Sequence, residues 1–529
     1  MVSDESVTLG DPDVLITDTF AIAAARPEAQ HAASGEALLT SEIYIFGLAE
    51  GVITYRAESS ANFAGGITLW TGFADDVIAI DGTHFRPGQV DANGDVIRTV
   101  TALNTGLGDD RVTVNLDDQA GAAAAGTTAD GYFVLNTQGP YDNFLTTVAQ
   151  GEAINATIRT SDRDTVLGAG STLPLIVFGG QDRDIIHTGS NRDLVFGDRG
   201  RIHYFDAQGN LVAVRGHGGE GDITDGVVRD AGLLFTVDSL VGDGDDIFTN
   251  EDDDIVFGGI NGDLIRGGEG NNIVHGDHGL IDYIIDEATP NTGDIDRIWS
   301  TDPDHGGNDD IVTGDGDDIV IGGEDGEVVF TDVVTSVTNS TRSVIGAASD
   351  GDTINTGHGD NLVLGDNGRI TAAVSDLSRF GALPITLGLV ETIEPLIGGS
   401  DQITTGVGND IVLGGIDADE ITANSGETAG NDGNNIIFGD SGYIDWTAGD
   451  VDRTYDNELT AAAGSLSGDD EDPGDIDRAF STDPDHGGND TITTGDGDDL
   501  VIGGEDGENV TDVIIDGVVT TARTVSADT

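Results

Sequence analysis

The chain has no cysteine and a single methionine in 529 residues. That rules out a disulfide framework and thiol chemistry. It has no lysine either: its 21 basic residues are all arginine, against 98 acidic ones, for a formal net charge of −77. Such a surface repels phosphate backbones and anionic headgroups, so neither nucleic acid nor an anionic membrane is an expected partner. No run approaches the roughly 20 apolar residues of a membrane-spanning helix, and membrane insertion is not expected. The opening MVSDESVTLG lacks the basic and apolar regions of a secretory leader. H-E-x-x-H and G-x-S-x-G are both absent, which removes the usual zinc-protease and lipase signatures. Acidity of this kind also suits a solvated surface in a salt-adapted organism.

Glycine and aspartate are abundant, and they are periodic. Residues 179–196 read GGQDRDIIH then TGSNRDLVF, two nine-residue units without a gap. The frame returns as GGINGDLIR (258–266), TGDGDDIVI (313–321), TGVGNDIVL (405–413) and TGDGDDLVI (494–502). Glycines at the start of each unit favour positive φ and a tight turn. The aliphatic eighth position allows a very short strand with one inward side chain. Alternating turns and strands at a fixed period describe a solenoid with two units per coil.

These units resemble the nonapeptide repeats of the RTX (hemolysin-type) calcium-binding proteins, G-G-x-G-x-D-x-U-x. The resemblance covers scattered blocks from about 70 to 523. It implies an all-β fold of right-handed parallel β-roll or β-solenoid blocks, with calcium as the bound ion and type I secretion as the export route. The closing TARTVSADT does not match the C-terminal signal of that route, and a chain cut from something longer is the expectation.

Physical reasoning reaches the same ion. Coils stack about 4.8 Å apart, which puts the sixth-position aspartates in a ladder. Charges that close repel by several kcal/mol at an effective dielectric near 20. Cations between the rungs would relieve the repulsion, and carboxylates with turn carbonyls are hard oxygen donors that select Ca²⁺. The candidate ligands are Asp184, Asp193, Asp245, Asp254, Asp263, Asp309, Asp318, Asp352, Asp401, Asp410, Asp419, Asp490 and Asp499. Turn glycines Gly180, Gly189, Gly314, Gly316, Gly406, Gly408, Gly495 and Gly497 are the candidate carbonyl donors. Two aliphatic side chains per coil do not offset the entropy of ordering it, so folding is expected to be coupled to metal binding.

The chain divides by pattern into an irregular all-β N-terminal region (1–165), a block at 166–290 with an insertion at 202–240, blocks at 291–372 and 373–473, and the start of a duplicated unit at 474–529. Degenerate units place Asp76 and Asp110 in the N-terminal region. EIYIFG (42–47) and GVITYRA (51–57) read as strands, AIAAARPEAQHAASGEA (21–37) as weak helix or loop, DANGDVIR (91–98) as a hairpin turn, and 119–130 as a loop. Four blocks end in G-D-x-G-x-I: GDRGRI, GDHGLI, GDNGRI and GDSGYI. Three are preceded by Asn in the aspartate slot (Asn272, Asn361, Asn435), where a weaker metal position and a hairpin insertion are expected. GDIDRIWSTDPDHGGNDDI (293–311) returns as GDIDRAFSTDPDHGGNDTI (474–492), an internal duplication that favours a scaffold over a catalyst.

Other readings carry less weight. Ser441 in GDSG matches a serine-protease nucleophile motif, but it fills the variable slot of the repeated signature. His275 and His278 lack further partners for zinc. Asp302, Asp304, Asp483 and Asp485, beside His305 and His486, could form an extra calcium loop or a solvated turn. Trp70, Trp299, Trp446 and Tyr283 read as packing groups before a carbohydrate platform. Thr313, Thr405 and Thr494 sit at turn starts and do not make the regular array that ice binding needs. The expectation is a secreted or cell-surface calcium-binding protein, not an enzyme, with a structural or adhesive role. Other copies or surface and matrix components are candidate partners. The alternative is an RTX-type secreted enzyme or toxin with its activity in 1–165.

Overall fold

A computed structural model describes, with short breaks, residues 66–117, 131–138, 162–217, 229–285, 293–325, 350–447 and 473–504. It adds strands at 7–8, 19–24, 42–46, 53–56, 330–344 and 510–523. The described residues are all-β, with no helix. They form two compact units, 1–256 and 257–529. This division is coarser than the sequence blocks, and its boundary falls inside the block placed at 166–290.

Each unit is built from two parallel sheets that the chain visits alternately. In the first unit, Ile67–Trp70, Val100–Asn104, Tyr132–Asn136, Leu175–Phe178 and Leu194–Phe196 stack in one sheet. Thr19–Ala24, Val77–Asp81, Arg111–Val114, Thr165–Leu167, Ile185–His187 and Asp246–Phe248 stack in the other. The degenerate N-terminal repeats are therefore coils of the same kind. In the second unit the first sheet runs Ile273–His275, Ile319–Gly323, Leu362–Asp366, Ile411–Gly415, Ile436–Asp440 and Leu500–Ile502. Its second sheet runs Leu264–Arg266, Asp310–Val312, Asp350–Gly357, Ser400–Thr405, Glu420–Thr422 and Thr491–Thr493.

The two sheets differ in burial. Three-residue second-sheet strands such as Ile185–His187, Asp310–Val312 and Glu420–Thr422 bury only their central residue, which matches one inward side chain per unit. First-sheet strands such as Leu362–Asp366 and Ile411–Gly415 are buried along their whole length. The cause is a third, antiparallel sheet. After Phe196, His275, Leu364 and Phe438 the chain leaves the coil, and each departure is one of the four G-D-x-G signatures. In the first unit the excursion forms Gly200–Phe205, Leu211–Arg215 and Leu233–Thr236, beginning two residues before the insertion expected at 202–240. In the second unit the excursions pair as Gly279–Asp282, Arg297–Ser300, Gly368–Ala372, Leu387–Thr392, Gly442–Asp445 and Arg478–Ser481.

That sheet has two unlike faces. Ile281, Ile298, Ile370, Val390 and Ile444 face the core and are fully buried. On the opposite face Trp299 lies between the guanidinium groups of Arg297 and Arg369, 4.4 and 5.3 Å from its ring centre. Trp299 is half-buried there and packs against both arginines through cation–π contacts.

The second glycine and the aspartate of G-D-x-G have separate duties, one steric and one hydrogen-bonding. A Cβ on the second glycine (Gly200, Gly279, Gly368 or Gly442) would run into the side chain four residues earlier: Phe196, His275, Leu364 or Phe438. The aspartate clamps the root of the excursion. Asp277 accepts from the amides of Gly307 and Glu324, Asp366 from Gly399 and Ile416, and Asp440 from Gly488. Ser441 is buried in this root. His275 stacks on Phe257, and burial pushes its imidazole down to about 3, so it is a neutral core residue. Asp302 and His305 close a turn by a backbone hydrogen bond, and Asp483 and His486 repeat it.

Two further sequence readings meet the structure here. Residues 21–24 belong to strand Thr19–Ala24 and not to a helix, because Ala21–Ala24 pair with Ile43–Phe46 and strand pairing overrides alanine's helix propensity. Phe85–Val90 and Val96–Arg98 pair as the expected hairpin. Residues 25–37 and 119–130 lie outside the described residues.

Replacing Asp366 by alanine strands the buried amide of Gly399 and the half-buried amide of Ile416. A loss on the order of 3 kcal/mol is expected, from roughly 1–3 kcal/mol per unsatisfied group. Chemical denaturation of the full chain in calcium buffer measures it.

Candidate metal centres

The sixth-position residues lie where a turn enters a strand, and they form a separate column for each sheet. Before the second sheet the column is all aspartate: Asp76, Asp110, Asp164, Asp184 and Asp245 in the first unit. In the second unit it is Asp263, Asp309, Asp352, Asp401, Asp419 and Asp490. Before the first sheet the column is Asp193 and Asp254, then in the second unit Asn272, Asp318, Asn361, Asp410, Asn435 and Asp499. We call the turns carrying these columns the second and first flanks.

One hydrogen bond repeats on both flanks. The backbone N–H of each rung donates to Oδ1 of the next, at 2.7 Å from Asp184 to Asp245, from Asp309 to Asp352 and from Asp352 to Asp401. The rungs are buried, except Asp499 at the last described coil. The fifth position adds a second series in the opposite sense on the first flank. Asp317 N donates to Asn271 Oδ1, Asp360 N to Asp317 Oδ1, Asn409 N to Asp360 Oδ1 and Asn434 N to Asn409 Oδ1. The D-D and N-D doublets thus tie each turn to both neighbours.

In the unit 257–529 the other oxygen, Oδ2, separates the flanks. There Asp318 and Asp410 on the first flank follow an opening threonine whose hydroxyl donates to this oxygen: Thr313 to Asp318 at 2.6 Å and Thr405 to Asp410 at 2.5 Å. On the second flank the regular units begin with glycine. There Oδ2 of Asp184, Asp309, Asp401 and Asp419 is buried with no hydrogen-bond partner. In each case that oxygen fills the space a Cβ would take on the opening glycine, Gly179, Gly276, Gly365 or Gly414. The carbonyl oxygen of the next coil's opening glycine (Gly197, Gly322, Gly414 or Gly439) borders the same space. A buried anionic oxygen beside a carbonyl, repeated up the column, is a hard-donor set that fits a calcium-like cation. Asp325, from GGEDGE, adds to it: Asp325, Asp352 and Asp401 each bring a carboxylate oxygen within 4.8 Å of the others, all three buried.

The turn glycines have a packing role that is visible directly. Gly316 lies over the carbonyl of Gly270, Gly359 over Gly316, Gly408 over Gly359, Gly433 over Gly408 and Gly497 over Gly433, each too close for a Cβ. Gly314 and Gly406 stack in the same way over Gly268 and Gly357, and Gly189 over Ser171. Gly180, Gly314, Gly316 and Gly495 also hold positive φ.

Burial drives the carboxyls of Asp184, Asp309, Asp401 and Asp419 well above the usual range, and neighbouring aspartates push the same way. At about 4.8 Å and an effective dielectric near 20, adjacent charged rungs repel by roughly 3–4 kcal/mol. Burial also raises the first-flank carboxyls, but Thr313 and Thr405 oppose it, leaving Asp318 at about 7 and Asp410 at about 6.

Without metal these groups bind protons more tightly when folded than when unfolded. Their contribution to stability is therefore complete below pH about 4 and is lost as pH rises through the folded values. In EGTA the chain is expected to gain β signal on acidification from pH 8 to 5, read by circular dichroism. In millimolar calcium that dependence should flatten over the same window, because the cation replaces the proton.

No family model matches this chain, and no curated protein is similar to it.

Proposed function

We propose that this is a calcium-binding repeat protein, secreted or displayed at a cell surface, whose role is structural or adhesive. The observation that carries this reading is the second-flank column. From Asp309 to Asp490 it is a run of buried aspartates, each spending Oδ1 on the coil-to-coil hydrogen bond and setting Oδ2 beside a glycine carbonyl. Left charged and empty, the column works against the fold; filled with divalent ions, it becomes a cross-link. In a chain without cysteine, metal takes the place of cystine as the staple.

The same physics supplies a switch. In a low-calcium cytoplasm the carboxylates repel and the chain stays open for export. At millimolar external calcium the coils close into a stiff, acidic module. The described strands of 66–138 continue the two-sheet coil, which favours a scaffold over a separate N-terminal catalytic domain. The internal duplication favours it too.

Circular dichroism of the full chain at pH 7.5 tests the proposal during calcium titration. Disorder without the ion, a β spectrum at millimolar calcium and reversal by EGTA are expected. Magnesium should do less, because it holds its water and demands octahedral geometry. A spectrum indifferent to calcium and EGTA would overturn the reading.

The opening glycine is expected to be as sensitive as the aspartate. Gly365→Ala puts a methyl group where Asp401 Oδ2 lies, and should raise the calcium midpoint of folding several-fold. Gly170→Ala, whose added carbon would meet only Asn115 Oδ1 at 3.2 Å, should shift that midpoint much less.

A further inference from the structure

We infer that in the unit 257–529 cation binding is confined to the second flank, and that Asp325, outside the nonapeptide frame, completes a site there with Asp352 and Asp401. The inference rests on the calcium reading above and sharpens it, since the repeat pattern alone treats both flanks alike.

The first flank is closed by its own side chains. Every other rung is a neutral amide, Asn272, Asn361 and Asn435. Their Nδ2 groups donate to the turn carbonyls that would otherwise face an ion. Asn272 reaches Gly270 O and Thr313 O at 3.2 Å each, Asn361 reaches Gly359 O at 3.1 Å, and Asn435 reaches Ala423 O at 2.9 Å. Asn361 also donates to Oδ1 of Asp410 at 3.0 Å. The intervening aspartates are two coils apart, roughly 9–10 Å from the β spacing, so their mutual repulsion is about half that of adjacent rungs. Their Oδ2 atoms receive the threonine hydroxyls. Amide nitrogen and hydroxyl therefore occupy the roles a cation would fill.

The second flank has none of these substitutes. Its rungs are consecutive aspartates, its units open with glycine, and the buried Oδ2 of Asp401 has no hydrogen-bond partner. Asp325 brings a third carboxylate to the Asp352–Asp401 step. All three carboxylates are buried, and Oδ2 of Asp352 and of Asp401 fills the space beside an opening glycine. Three carboxylates converging in a dry site make the step between these two rungs the strongest cation position in the unit. GGEDGE is thus a ligand-bearing element, and not only a turn.

Isothermal titration calorimetry of the full chain with calcium chloride, after EGTA stripping, separates the possibilities. Wild type is expected to bind several equivalents; if it binds none, the calcium reading fails as well. Asp309→Asn and Asp325→Asn should each lose one equivalent or weaken it at least tenfold, while Asp410→Asn and Asp318→Asn keep the full number. Asp325→Glu, which retains the charge, should keep the equivalent with weaker affinity. Wild-type binding with an equal loss in Asp410→Asn, or with no change in Asp325→Asn, would overturn this inference and leave the broader one standing. Asn361→Asp tests the first flank without removing anything: it should gain a calcium equivalent. An unchanged number there means the flank was already loaded and the inference is wrong.

Discussion

The fold hangs on one repeated hydrogen bond, from the amide of each sixth-position residue to the side-chain oxygen of the residue one coil further on. It sets the register of the turns as the strand ladders set the register of the sheets. It also forces a carboxylate into a dry interior, where burial costs several kcal/mol unless the charge is matched or removed. The acceptor that best joins two coils is therefore the group least comfortable where it must sit. Most other features of the chain can be read as answers to that conflict.

The two flanks answer it differently with nearly the same residues. Opening threonine and alternating asparagine satisfy a carboxylate from within. Opening glycine leaves an oxygen exposed to a carbonyl of the next coil, with room for nothing as large as a methyl group. For the aspartate-bearing turns of 257–529, the residue heading the turn thus decides whether it closes by itself or looks outward for a partner. The third sheet imposes a separate asymmetry. It lies against the outer side of the first sheet, where Gly442 meets Phe438 and Leu413, so those strands are buried along their length, while short second-sheet strands bury only the eighth position.

Much of this was legible in the residues. The nine-residue frame predicted short strands, tight turns and an aspartate column, and those are what the chain forms. The G-D-x-G signature marked the insertions correctly, and Asn272, Asn361 and Asn435 were singled out as different. What went unread was available but unranked. TGDGDDIVI and GGINGDLIR read as variants of one unit, yet Asp318 and Asp263 stand in different columns, because the flanks alternate along the chain. The clamping role of Asp277, Asp366 and Asp440 was hidden because the amides they hold come from segments up to 50 residues away.

The sequence by itself determined the period, the turn chemistry, the charge and the all-β class, because each depends on residues within nine places of one another. Only the tertiary structure decided which aspartates share a column, which are separated by an amide, and that Asp325 meets Asp352 and Asp401. The physical reason is the excursions. Each one inserts a variable length of chain between a glycine and the aspartate that completes its turn, as between Gly276 and Asp309 or Gly365 and Asp401. Neighbours in the column are then set by stacking, and no spacing along the chain records it.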